Sequence, residues 1–233
     1  MNKIFTPPSQ RATTRAAEGL SRWRWTVAEI EKMSADGYFH DEERFELVGG
    51  EIVPMSPKGR RHEIIRGELA FRFARLAPDG VFVVSEPQFN LADDTYLNPD
   101  ILAHPAAIKT PDARGGDALL VVEVADSSLH YDLNTKAPIY AANGVREYWV
   151  INAGTLVTMV HKEPSGQTYG SVKEAAPDAM LAPSLVPAFC GVARRARTRL
   201  SFRKLRRMPA PLSSGRSPPR APLSGACRAR RFG

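Results

Sequence analysis

Leu119-Leu120-Val121-Val122-Glu123-Val124 is the stretch of sequence that decides the fold. An apolar run of this length is typical of a strand covered on both faces, as at the centre of an α/β sheet. Glu123 interrupts the run, and a carboxylate buried at that place needs a compensating charge. An arginine partner or a divalent metal could each provide that charge.

Patterns on the N-terminal side predict the elements that would cover this strand. Thr26-Val27-Ala28-Glu29 has the form of a capping box and predicts a short helix that runs to about Ser34. Gly49-Gly50 lies between two short strand-like runs and predicts a hairpin with a tight turn. Apolar residues at helical spacing predict an amphipathic helix over residues 62–76.

The remaining patterns predict a single α/β domain. Strands are expected at 81–85, 88–91, 98–103, 119–124, 147–151, 156–161 and 168–173, with a helix from Asp132 to Asn143. Pro138 fits that helix only in a first turn. This order predicts an α/β domain around one central sheet at residues 25–190. A flexible segment is predicted at 1–24. The basic tail at 191–233 is rich in Pro, Ser and Arg and is predicted to be disordered.

The net charge of +7 originates in the tail. Residues 194–233 contain 13 of the 32 lysine and arginine residues and no acidic residue, so the rest of the chain combines 19 basic with 25 acidic side chains. Such a tail either holds nucleic-acid phosphates through counterion release or is an unselected extension. Both interpretations are compatible with its composition.

Composition excludes several other classes of protein. No apolar run approaches the roughly 20 residues that cross a bilayer, and the N-terminal residues lack the pattern of a signal peptide. Cys190 and Cys227 do not have metal-type spacing, and they are too few for a disulfide scaffold. We therefore expect a cytoplasmic protein that does not bind a membrane.

Asp100 and Lys136 are further candidates for chemistry near Glu123. Asp100 opens a predicted strand 23 residues before Glu123, which is room for a loop and a return to the same sheet. Turn chemistry alone explains the Pro-Asp pair at 99–100, but two carboxylates on one sheet repel unless a hard cation such as Mg²⁺ lies between them. Lys136 could direct an ammonium group to the same place, or it could be a solvated surface lysine.

An ordered set of motifs over about residues 25–189 resembles the Uma family of restriction endonucleases. The motifs are Arg44-Phe45-Glu46-Leu47-Val48-Gly49-Gly50-Glu51-Ile52-Val53 with Met55-Ser56-Pro57 and His62, then Asn98-Pro99-Asp100-Ile101, Val122-Glu123-Val124-Ala125-Asp126-Ser127-Ser128, Asp132 with Lys136 and Tyr140, and Gly144-Val145-Arg146-Glu147-Tyr148-Trp149-Val150. Each motif is modest by itself, but the ordered set is specific.

The resemblance implies the PD-(D/E)XK nuclease superfamily and its restriction-endonuclease-like fold, a central mixed sheet flanked by helices. It implies that Asp100 and Glu123 bind Mg²⁺, with Mn²⁺ as a substitute, and that the main-chain carbonyl of Val124 adds a ligand. The superfamily name places a lysine two residues after the glutamate, where this sequence has Ala125. The Uma pattern carries its lysine on the following helix, and Lys136 matches that position.

Glu46 and His62 also match positions of the Uma pattern. Glu46 could be a third acidic ligand or a structural partner of Arg44 or Lys58. His62 could contact a phosphate or cap the helix that it precedes.

Together these features predict a Mg²⁺-dependent endonuclease that hydrolyses DNA with a metal-activated water, in which Lys136 supports the transition state. Two alternatives remain open: a catalytically silent protein that binds nucleic acid or another partner, and a metal-dependent hydrolase of another phosphate ester. DNA is the expected partner. Because residues 1–193 are acidic overall, DNA binding would need the basic tail or a homodimer.

The tail hypothesis makes a direct prediction. Deletion of residues 194–233 removes 13 positive charges. DNA affinity should fall and the slope of log affinity against log salt should flatten, since that slope follows the number of neutralised phosphates. Binding titrations of both proteins at several salt concentrations measure this. Equal affinities and equal slopes would identify the tail as an unselected extension.

Overall fold

The helices and strands follow the alternating order that the sequence predicted. A computed structural model describes residues 22–40 and 43–191. The helices in this part are α1 (Val27–Ala35), α2 (Arg60–Leu76), α3 (Leu129–Tyr131) and α4 (Ala137–Ala142), with a π-helical turn at Asp132–Lys136. The strands are β1 (Phe45–Val48), β2 (Glu51–Pro54), β3 (Val81–Ser85), β4 (Phe89–Ala92), β5 (Thr95–Leu97), β6 (Ile101–Pro105), β7 (Leu120–Ala125), β8 (Glu147–Asn152), β9 (Thr158–Ser165) and β10 (Thr168–Ala175).

A six-stranded sheet forms the centre of the protein. Its strand order is β10-β9-β8-β7-β6-β3. The β7–β8 pair is parallel and the other pairs are antiparallel, so the sheet is mixed. The predicted α/β class with a central mixed sheet and flanking helices is therefore confirmed.

Strand β7 is buried along its whole length, as the apolar run predicted. Its even-numbered residues belong to the same hydrophobic cluster as the apolar stripe of α2. Val121 and Ala125 belong to the cluster on the opposite face, with Tyr140 of α4. Because side chains alternate along a strand, Glu123 shares the face of Val121 and Ala125 and is directed toward the helical segment that carries Tyr140.

A second, smaller sheet was not predicted and lies outside the central one. It has four short strands in the order β2-β1-β5-β4. The prediction missed β5 because that strand has only three residues and directly follows a turn. The strand predicted at 98–103 begins instead at Ile101, since Pro99 has no N–H to donate to a sheet.

The predicted N-terminal elements are confirmed. Thr26 caps α1, and a capping box forms because the Thr26 side chain accepts from the Glu29 backbone while the Glu29 carboxylate accepts from the Thr26 N–H at 2.8 Å. The β1–β2 hairpin turns at Gly49 and Gly50, whose φ angles of 57° and 81° favour glycine.

The helix predicted from Asp132 to Asn143 has a different form. Helical structure begins at Leu129, and the Ala137 N–H donates to the Asp132 carbonyl five residues earlier, which is the hydrogen bond of a π turn. Pro138 lies in the first turn of α4, where its missing N–H costs little. The π turn therefore separates the helical segment into two parts with different registers.

The terminal assignments lie almost entirely outside the described residues. The flexible segment at 1–24 and the basic tail at 191–233 therefore stay predictions. Within residues 22–40 and 43–191, no helix has both the length and the apolar character to cross a bilayer.

His161 of β9 provides a test of the packing. Its ring lies between Tyr148 and Tyr169, each at a centroid distance of 5.4 Å. Burial holds the pKa of His161 below its usual 6.5. At His161 the unfolded chain therefore binds a proton more readily than the folded protein does. Stability is thus greatest above pH 6.5, where His161 is neutral in both states, and it falls as the pH drops through 6.5.

We predict that His161→Phe will reduce the pH dependence of stability. Between pH 7.5 and 5.5 the free energy of unfolding should fall more steeply for the parent than for the variant, because phenylalanine does not titrate. Urea denaturation at both pH values measures the difference. Parallel pH profiles would show that His161 is protonated equally well in the folded protein.

Candidate functional site

The central sheet brings Asp100 and Glu123 together. Ile101 pairs with Val122 in antiparallel register, so the preceding residue, Asp100, falls opposite Glu123. The Asp100 N–H lies 3.4 Å from Glu123 Oε2. The Val124 N–H donates to Asp100 Oδ2 at 2.7 Å. Two buried carboxylates thus lie on neighbouring strands, each hydrogen-bonded to backbone of the other strand.

Lys136 lies at the end of the π turn and is buried. Its Nζ is 2.9 Å from Glu123 Oε1 and 2.9 Å from Glu46 Oε1. Asp132 Oδ1 is farther away, at 3.8 Å. The alternative of a solvated surface lysine is therefore wrong, and the helical segment supplies the ammonium group that position 125, an alanine, does not.

Glu46 reaches the site from β1 of the smaller sheet. Its Oε1 also accepts from the Asn98 N–H at 3.1 Å, and its Oε2 accepts from the Tyr131 hydroxyl at 3.3 Å. The proposed structural pairing of Glu46 with Arg44 or Lys58 is wrong, because both of those cations bond to Glu86. The small sheet thus adds a third buried carboxylate beside Lys136.

His62 contacts Asp100 instead of capping a helix. It is the third residue of α2, and the N-cap of that helix is Gly59. His62 Nε2 lies 2.9 Å from Asp100 Oδ2. An ionised carboxylate only accepts hydrogen bonds, so the proton of this pair lies on Nε2. The capping alternative is wrong, and a contact of His62 with phosphate stays a prediction.

Lys58 completes the surroundings of Asp100. It lies in the loop between β2 and α2, and its Nζ donates to Asp100 Oδ1 and to Glu86 Oε1, both at 2.6 Å. The loop lies close against the end of β7, since a Cβ on Gly59 would come within 2.8 Å of Asp126 Oδ2. Glycine at position 59 therefore permits this approach.

Sequence reasoning missed several members of the cluster. Asp132 was noticed only as part of a motif, although its position four residues before Lys136 predicts a contact on a helix. The hydroxyl of Ser128 donates to the buried Asp132 carboxylate at 2.6 Å. Glu86 and Tyr131 offered no signal, because their contacts connect residues that are far apart in the sequence.

Asp100 and Glu123 differ in charge environment. Burial opposes ionisation of Asp100, but the hydrogen bond from His62 and the charge of Lys58 together hold its pKa below the usual value. Burial, together with the nearby carboxylates, raises the pKa of Glu123 well above the usual value despite the charge of Lys136. Paired acids whose pKa values are moved in opposite directions are typical of catalytic sites.

Lys136 keeps its proton in this environment. Burial by itself favours the neutral amine, but Glu123, Glu46 and Asp132 raise the pKa of Lys136 well above its usual value. Burial also raises the pKa of Asp132. One ammonium group therefore faces three carboxyl groups, and the pKa values of two of them, Glu123 and Asp132, are raised.

An open cavity of about 290 Å³ lies beside the cluster. Glu46, Glu123, Asp132 and Lys136 line its inner wall, and the loop of Lys58 lines another part. Asp100 does not line it, whereas Lys58 and His62, which bond to its carboxylate, do. Glu123 thus lines the cavity itself, whereas Asp100 is bonded to two residues that line it.

The donor set fits a hard divalent cation in chemistry and charge. Mg²⁺ prefers carboxylate oxygens, and Glu123 Oε2 has only the long 3.4 Å contact to the Asp100 N–H. Among the described residues, however, no three His, Cys, Asp or Glu side chains converge as a preformed metal centre. Asp100, Glu123 and the Val124 carbonyl thus stay predicted metal ligands.

Comparison with known proteins identifies the family and a solved structure with a similar fold. The profile of the family Uma2, described as "Putative restriction endonuclease", matches residues 27–194, and the chain belongs to this family. The crystal structure of a protein described as a putative nuclease belonging to DUF820, from Anabaena variabilis, superposes with a TM-score of 0.58 at 15% sequence identity. The match covers 73% of this chain and 98% of that chain, and it shows a shared fold. No curated protein matches the chain.

The buried cluster predicts a strong effect of Lys136 on stability. Lys136→Met leaves Glu123, Glu46 and Asp132 without their shared cation, so the free energy of unfolding at pH 8 should fall by about 3 kcal/mol or more. Urea denaturation measures the loss, and exposed Lys173 provides the control, since Lys173→Met should change stability by less than about 0.5 kcal/mol. An equally small effect of both variants would contradict the charge balance described for the site.

Proposed function

We propose that this protein is a Mg²⁺-dependent endonuclease that hydrolyses phosphodiester bonds of DNA. The observation that carries the proposal is the juxtaposition of Asp100 and Glu123 on neighbouring strands, with Lys136 held 2.9 Å from Glu123 at the wall of an open cavity. Membership of the Uma2 family supports the same reaction class.

Asp100 and Glu123 would hold the metal through carboxylate oxygens. Glu123 lies in β7 and Asp100 directly precedes β6, and each carboxylate is hydrogen-bonded to a backbone N–H. Ligands held in this way reduce the reorganisation needed during the reaction. Bound Mg²⁺ would supply Lewis-acid stabilisation of the phosphate and would lower the pKa of a water molecule.

Lys136 would stabilise negative charge that develops on the phosphate. Two of its N–H groups are used by Glu123 and Glu46, while Asp132 at 3.8 Å is too distant for a short hydrogen bond. The two short bonds fix the direction of the ammonium group, and the remaining N–H is free to bond with a substrate oxygen. A preorganised donor of this kind typically contributes a factor of about 10² or more to the rate.

DNA is the proposed substrate because of the family and the shape of the site. The cavity is partly open to solvent, which is compatible with a polymeric substrate. The acidic cluster alone would repel a phosphate backbone, so the proposal requires cations: the metal, Lys58 at the cavity wall and the basic tail at 191–233. A homodimer would provide a second set of contacts for duplex DNA.

We predict that Asp100→Asn and Glu123→Gln each abolish metal-dependent cleavage while the protein stays folded. Each change removes one charged metal ligand but keeps the size of the side chain and one acceptor oxygen. Cleavage of plasmid DNA with Mg²⁺, with Mn²⁺ and with EDTA measures the activity, and thermal denaturation monitors the fold.

Asp93→Asn and Glu174→Gln are matched controls, because both positions are exposed and lie outside the site. These variants should cut at the parental rate. Parental cleavage by Asp100→Asn or Glu123→Gln would refute the assignment of the site. A parent that binds DNA without cleaving it in any metal would support the silent binding protein, and cleavage of only small phosphate esters would support the other hydrolase.

A further inference from the structure

The contacts of Asp100 distinguish its two carboxylate oxygens. Oδ2 accepts from the Val124 backbone N–H and lies beside the ring of His62, which is buried on α2. Both of these partners belong to regular elements and are fixed by them. Oδ1 accepts from Lys58, a flexible side chain on a loop. Oδ1 is therefore the oxygen that a metal ion could take, and Lys58 is the group that it would have to replace.

Lys58 lies at the cavity wall and bonds to Asp100, which does not itself line the cavity. Of the two proposed metal ligands, Glu123 lines the cavity and Asp100 does not, whereas Lys58 does. The ammonium group of Lys58 thus occupies a cation position on Asp100, with about 15% of the side chain exposed. The same contact agrees with the finding that no metal centre is preformed among the described residues.

The carboxylate of Glu86 is a second hydrogen-bond partner for Lys58, and it could hold the ammonium group if Lys58 left Asp100. Lys58 already donates to Glu86 Oε1 at 2.6 Å. Glu86 is held in place by Arg44 at 3.0 Å and by Arg66 at 3.4 Å. Its backbone has a φ of 54°, an uncommon value for a residue with a side chain, and its N–H donates to the Asp100 carbonyl at 3.2 Å. Glu86 is thus fixed beside Asp100 by backbone and side-chain contacts.

We propose that Lys58 is a positioning residue that competes with the catalytic metal for Asp100 and moves wholly onto Glu86 when the metal binds. This inference rests on the proposed nuclease function. The Lys58–Glu86 pair would then set the metal concentration at which the site becomes loaded, because each binding event must displace an ammonium group from Asp100.

The alternative is that Lys58 supports metal binding, because its bond to Asp100 orients that carboxylate toward the metal. The two roles predict opposite signs. If Lys58 competes, its neutral replacement frees Oδ1 and metal binding becomes tighter. If Lys58 orients Asp100, the same replacement loosens the carboxylate and metal binding becomes weaker.

Calorimetric titration of the full chain with Mn²⁺ decides between the two roles. Lys58→Met should bind Mn²⁺ about tenfold more tightly than the parent, since a charged hydrogen bond no longer has to be replaced. Lys58→Gln should change the affinity in the same direction and serves as the second neutral variant if the first does not fold. Lys58→Arg keeps a cation beside Asp100 and should stay within about threefold of the parent.

Arg44→Met is the matched control. Arg44 bonds to the same oxygen of Glu86 as Lys58 does, whereas Lys58 bonds to Asp100 as well. Its removal should leave the Mn²⁺ affinity within about twofold of the parent. Equal tightening in Arg44→Met or in Lys58→Arg, or unchanged or weaker binding in both neutral Lys58 variants, would overturn the competition.

Asp100→Asn in the same titration separates this inference from the proposed function. Binding that is lost in Asp100→Asn but unchanged in Lys58→Met refutes the role of Lys58 and leaves the metal site intact. Absence of Mn²⁺ binding in every protein, the neutral Lys58 variants included, refutes the metal site itself and with it the role of Lys58. Binding in Lys58→Met together with none in the parent supports competition in its strongest form.

Discussion

The buried charge of Glu123 is the constraint on which the rest of the site depends. A carboxylate in the central strand of a sheet is too costly to keep without compensation, and here the compensation comes from Lys136 and from the hydroxyl of Tyr140, 3.2 Å away. Both groups lie on the helical segment after β7, four residues apart. The path of that segment across the sheet is therefore coupled to the position of one carboxylate, and the cluster is completed by Glu46 from a different sheet.

Asp100 satisfies the same constraint in a different way. Its oxygens are held by a backbone N–H, by His62 and by Lys58, so its negative charge is well compensated in the absence of a metal. Glu123 shares its lysine with two other acids. The protein thus places one carboxylate that is easily ionised next to one that resists ionisation, on adjacent strands and within one hydrogen-bonded network. Burial opposes ionisation of both residues, but Asp100 has His62 and Lys58 beside it, whereas Glu123 lies among other acids.

Local patterns made much of the fold predictable, and distant contacts were the part that sequence could not supply. The run around Glu123 predicted the central strand because burial on both faces leaves a simple apolar signature. The partners of Asp100, Glu46 and Lys58 could not be predicted, because they depend on how loops and a second sheet of short strands meet the central sheet. Lys136 was a candidate because it lies on the predicted helix after the Glu123 strand, and it also matches the family pattern. Its burial was not predicted, since a lysine near a proline in a helix looks much like a surface residue.

The π turn before α4 has a consequence for how this protein can change in evolution. A π turn is equivalent to one extra residue in an α-helix, and loss of that residue would restore regular α hydrogen bonds. It would also rotate one side of the helix by about 100° relative to the other. The Tyr131 hydroxyl before the turn donates to Glu46 in the smaller sheet, and the Tyr140 hydroxyl after it donates to Glu123 in the central sheet. A shortened helix could therefore keep only one of these two hydrogen bonds. Deletion of one residue here would thus break one of these two contacts, although the shortened helix would itself be the more regular one.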